Sequence, residues 1–378
     1  MKEKLGNYIQ EYSVRNKAGE DIPVYSVTNT QGFCKDYFGK EVASKDKTTY
    51  KVVPRGFFAY NPSRINVGSV DYQRYEDRVI VSPLYNVFSV SEELDKQYLY
   101  YYLKSNIALQ RIRTVASGSV RDNLKLSMLY EFPINLKCID EQKDVVRKLD
   151  KVRLVVDLRK AELQQLDELV KSRFVEMFGD PVVNSMSWVE ELIGDSCFVT
   201  KLAGFEYTQY IHYEDSGDVV MVKAQNVKNG KLNRKDLSFI SNEVSNLLPR
   251  SQLEVGDVVM TYVGANIGDV AVIDGEYKYH LAPNVAKIRP NAERYNSVYF
   301  MYMLMFLNSY IVGNSADTAK AALGMEKIRK LKVFVPPVEL QEQFSAFVGQ
   351  IDKSKVVVQK ALDEAQTLFD SLMQEYFG

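Results

Sequence analysis

The chain has 378 residues, 46% of them hydrophobic and 26% charged, with a net charge of −1, which suits two domains with separate cores more than one very large domain. That balance gives no electrostatic sign of a nucleic-acid binder, whose domain is usually basic. Three scattered cysteines, Cys34, Cys138 and Cys197, and only two histidines, His212 and His280, argue against a disulfide framework and against a zinc site.

Met1-Lys2-Glu3-Lys4 opens neither an apolar signal core nor an Arg/Ser-rich transit segment, so a cytoplasmic location is expected. Residues 1–137 are rich in Tyr, Val, Phe and turn residues, with short apolar runs such as Arg78 to Val90, and read as a strand-dominated α+β domain. From Cys138 the character changes: Gly and Pro disappear and the apolar period becomes helical, predicting a long helix over 138–180. It stops at Phe178-Gly179-Asp180-Pro181, where Gly supplies a left-handed cap and Pro forbids continuation. Residues 181–337 repeat the mixed pattern, with an apolar run from Leu253 to Val263, and 338–378 repeat the long helix. The stretch Val298 to Val312 is shorter than the roughly 18–20 residues that a membrane span needs, and reads as a buried helix.

The two halves are copies. Arg55-Gly56-Phe57-Phe58 aligns with Val255-Gly256-Asp257-Val258, Ile65-Asn66-Val67-Gly68 with Ala265-Asn266-Ile267-Gly268, and Ser82-Pro83 with Ala282-Pro283, all at an offset of 200. Asp140-Glu141-Gln142 recurs as Gln341-Glu342-Gln343, and Glu176-Met177-Phe178-Gly179 as Glu375-Tyr376-Phe377-Gly378. Lys4-Leu5-Gly6-Asn7 meets Leu192-Ile193-Gly194-Asp195 at an offset of 188, so the second copy carries extra residues soon after its start. Charge is segregated: residues 1–136 hold 19 basic against 15 acidic side chains, and residues 339–378 hold 3 against 7.

Both helices carry a seam at alternating three- and four-residue steps, interrupted in the first by Arg159 and Arg173 and cleaner in the second. In the first it runs through Leu149, Val152, Val156, Leu163, Leu166, Val170 and Met177. In the second it runs through Phe344, Val348, Ile351, Lys355, Val358, Leu362, Ala365, Phe369, Leu372 and Tyr376. Leaving such a stripe in water forgoes roughly 1.5–3 kcal/mol per large side chain, so the seams call for each other. The expected fold is α+β: two pseudo-repeated globular domains joined by two long antiparallel coiled-coil helices.

The layout resembles the specificity subunit of type I restriction-modification systems over essentially the whole chain. The matching phrases are Lys4 to Tyr8, Ser117 to Lys125, the Asp140-Glu141-Gln142 and Val335 to Gln343 helix starts, and the exit at Met177 to Pro181. The resemblance implies a non-catalytic chain whose globular domains are target recognition domains, each reading half of a split double-stranded DNA sequence. It implies as partners two methyltransferase (modification) subunits, which bind S-adenosylmethionine and methylate adenine at N6, and restriction subunits, so no cofactor is expected on this chain. The alternatives are the specificity chain of a related methyltransferase-nuclease system and a coiled-coil scaffold without DNA specificity.

Two motifs are set aside. Asn61-Pro62-Ser63-Arg64 lacks the second proline and the aromatic residue of an amino-methyltransferase motif. Gly264 to Gly268 lacks the Lys-Ser/Thr of a phosphate-binding loop. Base edges are read by Arg or Lys at guanine and by Asn or Gln at adenine, with phosphates held by cations and hydroxyls. The candidates in the first domain are Arg64, Asn66, Arg74, Arg78, Arg111, Arg113 and Arg121. In the second they are Lys201, Tyr210, Lys223, Gln225, Asn226, Tyr262, Asn266 and Lys320.

Overall fold

A computed structural model describes residues 3–35, 46–116, 123–308 and 323–378. The chain divides into two compact units, residues 1–162 with 358–378, and residues 163–357.

In the first unit four antiparallel strands lie in the order Ile9–Glu11, Asn86–Val90, Phe58–Tyr60, Val70–Tyr72. Alternation sends Phe58, Tyr60, Val70 and Phe88 inward, all fully buried, and the Phe58 and Phe88 rings stack at 5.1 Å. The helix Lys96–Lys104 belongs to the same core and buries Tyr98 to Leu103. Its N-cap is Asp95, whose carboxylate accepts from the Tyr98 amide at 2.9 Å. A second pair of strands, Lys51–Pro54 and Arg78–Val81, runs antiparallel, and Val24 bridges Ile80 in parallel.

The second unit repeats this plan. Its strands Cys197–Lys201, Val285–Pro290, Val258–Thr261 and Val270–Val272 stand in the same order with the same antiparallel senses. Phe58 pairs with Phe88 and Tyr72, and Val258 pairs with Ile288 and Val272, so the offset of 200 holds to the residue. Val52 opposite Ile80 likewise recurs as Gln252 opposite His280. The inserted residues can be located. Ile9 corresponds to Cys197 at offset 188, whereas Val24 corresponds to Met221 at offset 197. The helix Gly204–Tyr210 occupies that insertion.

The long helices run Ile139–Phe178 and Val338–Phe377, 40 residues each, or about 60 Å at 1.5 Å per residue. Within the second unit Asp167 meets Lys355 at 2.6 Å, Arg173 lies over the Phe347 ring and Phe178 packs on Phe344, so the two segments are antiparallel. In the first unit Tyr101 touches both Asp150 and Phe369, and Lys137 lies over Tyr376, which gives the same sense. The seams turn toward the globular cores at their ends. Beyond the heptad positions, Phe174 and Phe178 are fully buried in one core, and Met373 and Phe377 are buried in the other.

Each long helix is tied to its unit by one buried glutamine. The Gln142 Oε1 accepts from the Asp95 amide at 2.8 Å, while its Nε2 donates to the carbonyls of Glu93 and Lys137 at 2.9 and 2.8 Å. The Gln341 Oε1 accepts from the Asn296 amide at 2.8 Å, and its Nε2 donates to Arg294 and Pro336 at 2.9 and 2.8 Å. Both side chains are wholly buried, so removing either amide strands three backbone groups, each a loss of about 1–3 kcal/mol.

His280 lies in the strand Lys278–Leu281, on the face opposite Tyr279 and Leu281, and is fully buried. Burial lowers its pKa, although the Leu281 and Leu248 carbonyls at 3.0 and 3.3 Å favour the charged ring. A histidine with a depressed folded pKa binds fewer protons folded than unfolded, so its stabilising contribution is complete above the ordinary value of about 6.5 and is lost as pH falls below it. Urea midpoints of the wild type and His280→Gln should therefore converge between pH 7.5 and pH 5. A gap independent of pH would contradict this.

Candidate nucleic-acid interface

One concave surface of the first unit gathers polar side chains from three segments distant in sequence. Ser26–Thr28 and Gly32–Cys34 form a hairpin, and the Phe33 amide donates to Asp71 at 3.2 Å, which fixes the hairpin beside the strand Val70–Tyr72. Burial raises the pKa of Asp71, and the Arg74 guanidinium at 3.0 Å opposes that shift. Opposite the hairpin, residues 61–69 form a turn around the one-turn helix Ile65–Val67, closed by Gly68 in the left-handed region at φ 92°. Between them lies an open cleft of about 470 Å³, lined by Thr28, Asn29, Asn61, Arg64, Asn66 and Tyr85 among others.

Two cations brace the rims through backbone atoms. The Lys104 ammonium donates to the carbonyls of Asn29 and Gly68, spanning hairpin and turn, and burial pushes its pKa down to about 8. The Arg113 Nε donates to the Asn66 carbonyl at 3.2 Å. The side-chain ends of Asn29, Arg64 and Asn66 have no hydrogen-bond partner among the described residues.

Of the sequence candidates, Arg64, Asn66 and Arg113 are brought together here. Arg111 is exposed, over the Phe132 ring at 5.9 Å. Arg74 is engaged: it pairs with Asp71, donates to Gln97 at 3.2 Å and lies over the Tyr72 ring at 3.8 Å. Arg78 pairs with Glu20.

In the second unit a hairpin of Val227–Lys228 and Lys231–Leu232 turns through Asn229 and Gly230, both at positive φ, and lies beside Val270–Val272. The matching turn keeps Gly268 at φ 86°, and a side chain there would collide with Asn308. Asn266 is exposed on this turn; Lys201 lies over the Tyr262 ring at 5.5 Å, and Tyr210 is half-buried. Gln225 is exposed, and Lys223 donates to the Asp236 carbonyl and the Ser238 hydroxyl at 3.1 and 2.9 Å. Asn226 differs from its sequence expectation. It is buried, donates to the carbonyls of Asn233 and Lys235 and accepts from the Lys223 amide, which leaves no amide edge for a base. Arg121 and Lys320 lie outside the described residues.

Sequence reasoning missed Asn29, Tyr85 and Lys104, which reach the cleft only through tertiary folding. A signal existed, however. Asn61 to Arg64 and Thr261 to Gly264 share no residue type inside turns that otherwise align, so the frame is kept and its polar ends are exchanged. Among the described residues, no group of three or more His, Cys, Asp or Glu side chains is placed to hold a metal, and no helix is long and apolar enough to cross a membrane.

Two registered copies of one α+β domain, each tied to a long helix through a buried glutamine, define a tandem-domain protein with a frame-and-turn surface on each unit. Residues 3–168 and 193–365 match the type I restriction modification DNA specificity domain. The chain belongs to that family, as a type I restriction-modification specificity subunit with two recognition domains. It is 22% identical over 384 residues to the EcoBI type I restriction enzyme specificity subunit of Escherichia coli, covering 89% of this chain and 78% of that one. It is 20% identical to the StySPI specificity subunit of Salmonella potsdam, covering 99% and 82%. Its fold matches the S subunit of the M. genitalium type I system with a TM-score of 0.56 at 16% identity, covering 100% and 96% of the two chains. A structure from work on assembly and conformational transition of the type I system matches with a TM-score of 0.57 at 16% identity, covering 100% and 97%.

Proposed function

We propose that each unit reads one half of a split DNA target and that two modification subunits and the restriction subunits assemble on this chain in the cytoplasm. The modification subunits bind S-adenosylmethionine and methylate adenine at N6; this chain contributes recognition. The observation that carries the reading is the registered duplication. One backbone frame occurs twice, with the same strand order and offset, while the polar ends on its turn differ. A recognition protein needs that combination, because phosphate contacts and backbone position a reader, whereas side chains at base edges choose the sequence.

Arg64, Asn66, Arg111 and Arg113 in the first recognition domain, and Lys201, Tyr210, Gln225, Tyr262 and Asn266 in the second, are the DNA-facing candidates, with Arg121 and Lys320 as a matched pair of phosphate contacts. Arg74, Arg78 and Lys223 brace the frame. Apolar side chains left exposed on the long helices suit subunit docking. They include Leu154 and Leu158, each 59% exposed, in the first unit, and Val356 and Val357 in the second.

Mapping methylated adenines in a host with and without this chain tests the proposal. A bipartite N6-methyladenine motif should vanish on deletion and return on complementation. A motif that persists without the chain would refute it.

A further inference from the structure

We propose that the cleft between the 29–32 turn and the 61–69 turn of the first unit receives the major-groove edge of a guanine-containing base pair, with Arg64 as the reading group and the Asn29 and Asn66 amides beside it. The inference rests on the proposal that this unit reads a DNA half-site, and deepens it to particular side chains.

Three observations converge. First, the cleft is rigid where it must be. Lys104 bridges the Asn29 and Gly68 carbonyls, Arg113 holds the Asn66 carbonyl, and Asp71 fixes the hairpin through the Phe33 amide, so the bracing uses backbone atoms of both rims. Second, the groups that face the cleft remain unspent: Arg64 is exposed and its guanidinium has no partner among the described residues, unlike Arg74 and Arg78 of the same unit. A planar fork of donors matches the O6 and N7 acceptors of guanine, and a free amide can meet adenine in the same way. Third, the second unit keeps the frame and changes the reader. Asn66 has its counterpart in Asn266, but Gly264 stands at the position of Arg64, Val263 at that of Ser63 and Asp269 at that of Ser69. Group by group, the shared Asn suits a contact common to both units, and the Arg64 and Gly264 difference suits a contact that distinguishes their half-sites. Val67, which lines the cleft and is 51% exposed, supplies apolar surface for a thymine methyl group.

The test uses the full chain assembled with its modification subunits, and duplexes carrying the motif mapped for the wild type. A wild type that selects no split motif would defeat the functional proposal before this one is reached. Given a motif, Arg64→Ala and Arg64→Lys are compared with the wild type on duplexes changed one base pair at a time. Neither substitution removes a side-chain hydrogen bond or ion pair among the described residues, and Arg64 is exposed, so both should fold. The expected result is loss of about 5- to 150-fold discrimination at one G·C pair of one half-site in both variants, with the other half-site unchanged. Lysine keeps the charge and loses the fork, so Arg64→Lys separates base reading from phosphate binding. If Arg64→Ala weakens all duplexes alike and Arg64→Lys restores them, Arg64 is a phosphate contact and the inference fails. It fails equally if both variants discriminate as the wild type does.

Discussion

Phe174→Ala should destabilise the second unit by about 3–5 kcal/mol, the cost of removing a fully buried phenylalanine from a core that cannot collapse around the gap. Phe174 is wholly buried where the first long helix enters that unit. Its ring contacts four others: Phe178 at 5.0 Å, Tyr299 at 5.8 Å, Phe306 at 4.9 Å and Phe344 at 5.4 Å. Those rings come from three helices, so the void has rigid walls on several sides. The single tryptophan of the chain reports on the site, since Trp188 packs against this core and its indole N–H donates to the Phe178 carbonyl at 3.0 Å. The urea midpoint followed by Trp188 fluorescence should fall sharply in Phe174→Ala. It should barely move in Leu154→Ala, where a side chain 59% exposed is lost from the same helix. Equal shifts would mean that the seam does not enter the core as described.

The architecture was legible because two kinds of periodicity survive in the residues. The offset of 200 between Arg55-Gly56 and Val255-Gly256 marks turns whose left-handed glycines tolerate no ordinary replacement, and both stand at positive φ. The heptads marked helices that end at Gly179 and Gly378. Helix ends were less legible: Phe174 and Met373 lie beside the heptad positions because the helices there pack on globular cores as well as on each other. The apolar stretch from Val298 was readable as core, and Tyr299 to Leu304 are indeed buried in the helix Ser297–Phe306.

Site residues were harder, for a physical reason. Composition names side chains able to read a base but not which of them are already engaged. Arg74 and Arg64 are the same residue type ten positions apart, yet one is locked between Asp71 and Tyr72 and the other has no partner among the described residues. Asn226 looked like a reader and is a turn brace. The sequence match set Gln142 against Gln343, whereas the residue that repeats its buried clamp is Gln341, at an offset of 199; that equivalence, joining the helix start to the loop before the capped helix, lies in tertiary hydrogen bonds that no local pattern reveals.

Exchange of one recognition domain has the largest expected functional effect. Boundaries at residues 189 and 336 keep a strand pair intact. The strand Glu190–Leu192 pairs with Lys332–Phe334, so both must travel together, and Val189 accepts a hydrogen bond from the Val335 amide at 2.9 Å. The Gln341 clamp survives the exchange, because its partners at Arg294, Asn296 and Pro336 are backbone groups that any sequence supplies in the same fold. The second half-site should therefore be replaced outright while the first is kept. The decisive measurement is the map of methylated adenines in a host carrying the exchanged chain. One half of the split motif should change to that of the donor domain, with the other half identical to the wild type. Two altered halves, or two unchanged ones, would contradict the assignment of one reader to each unit.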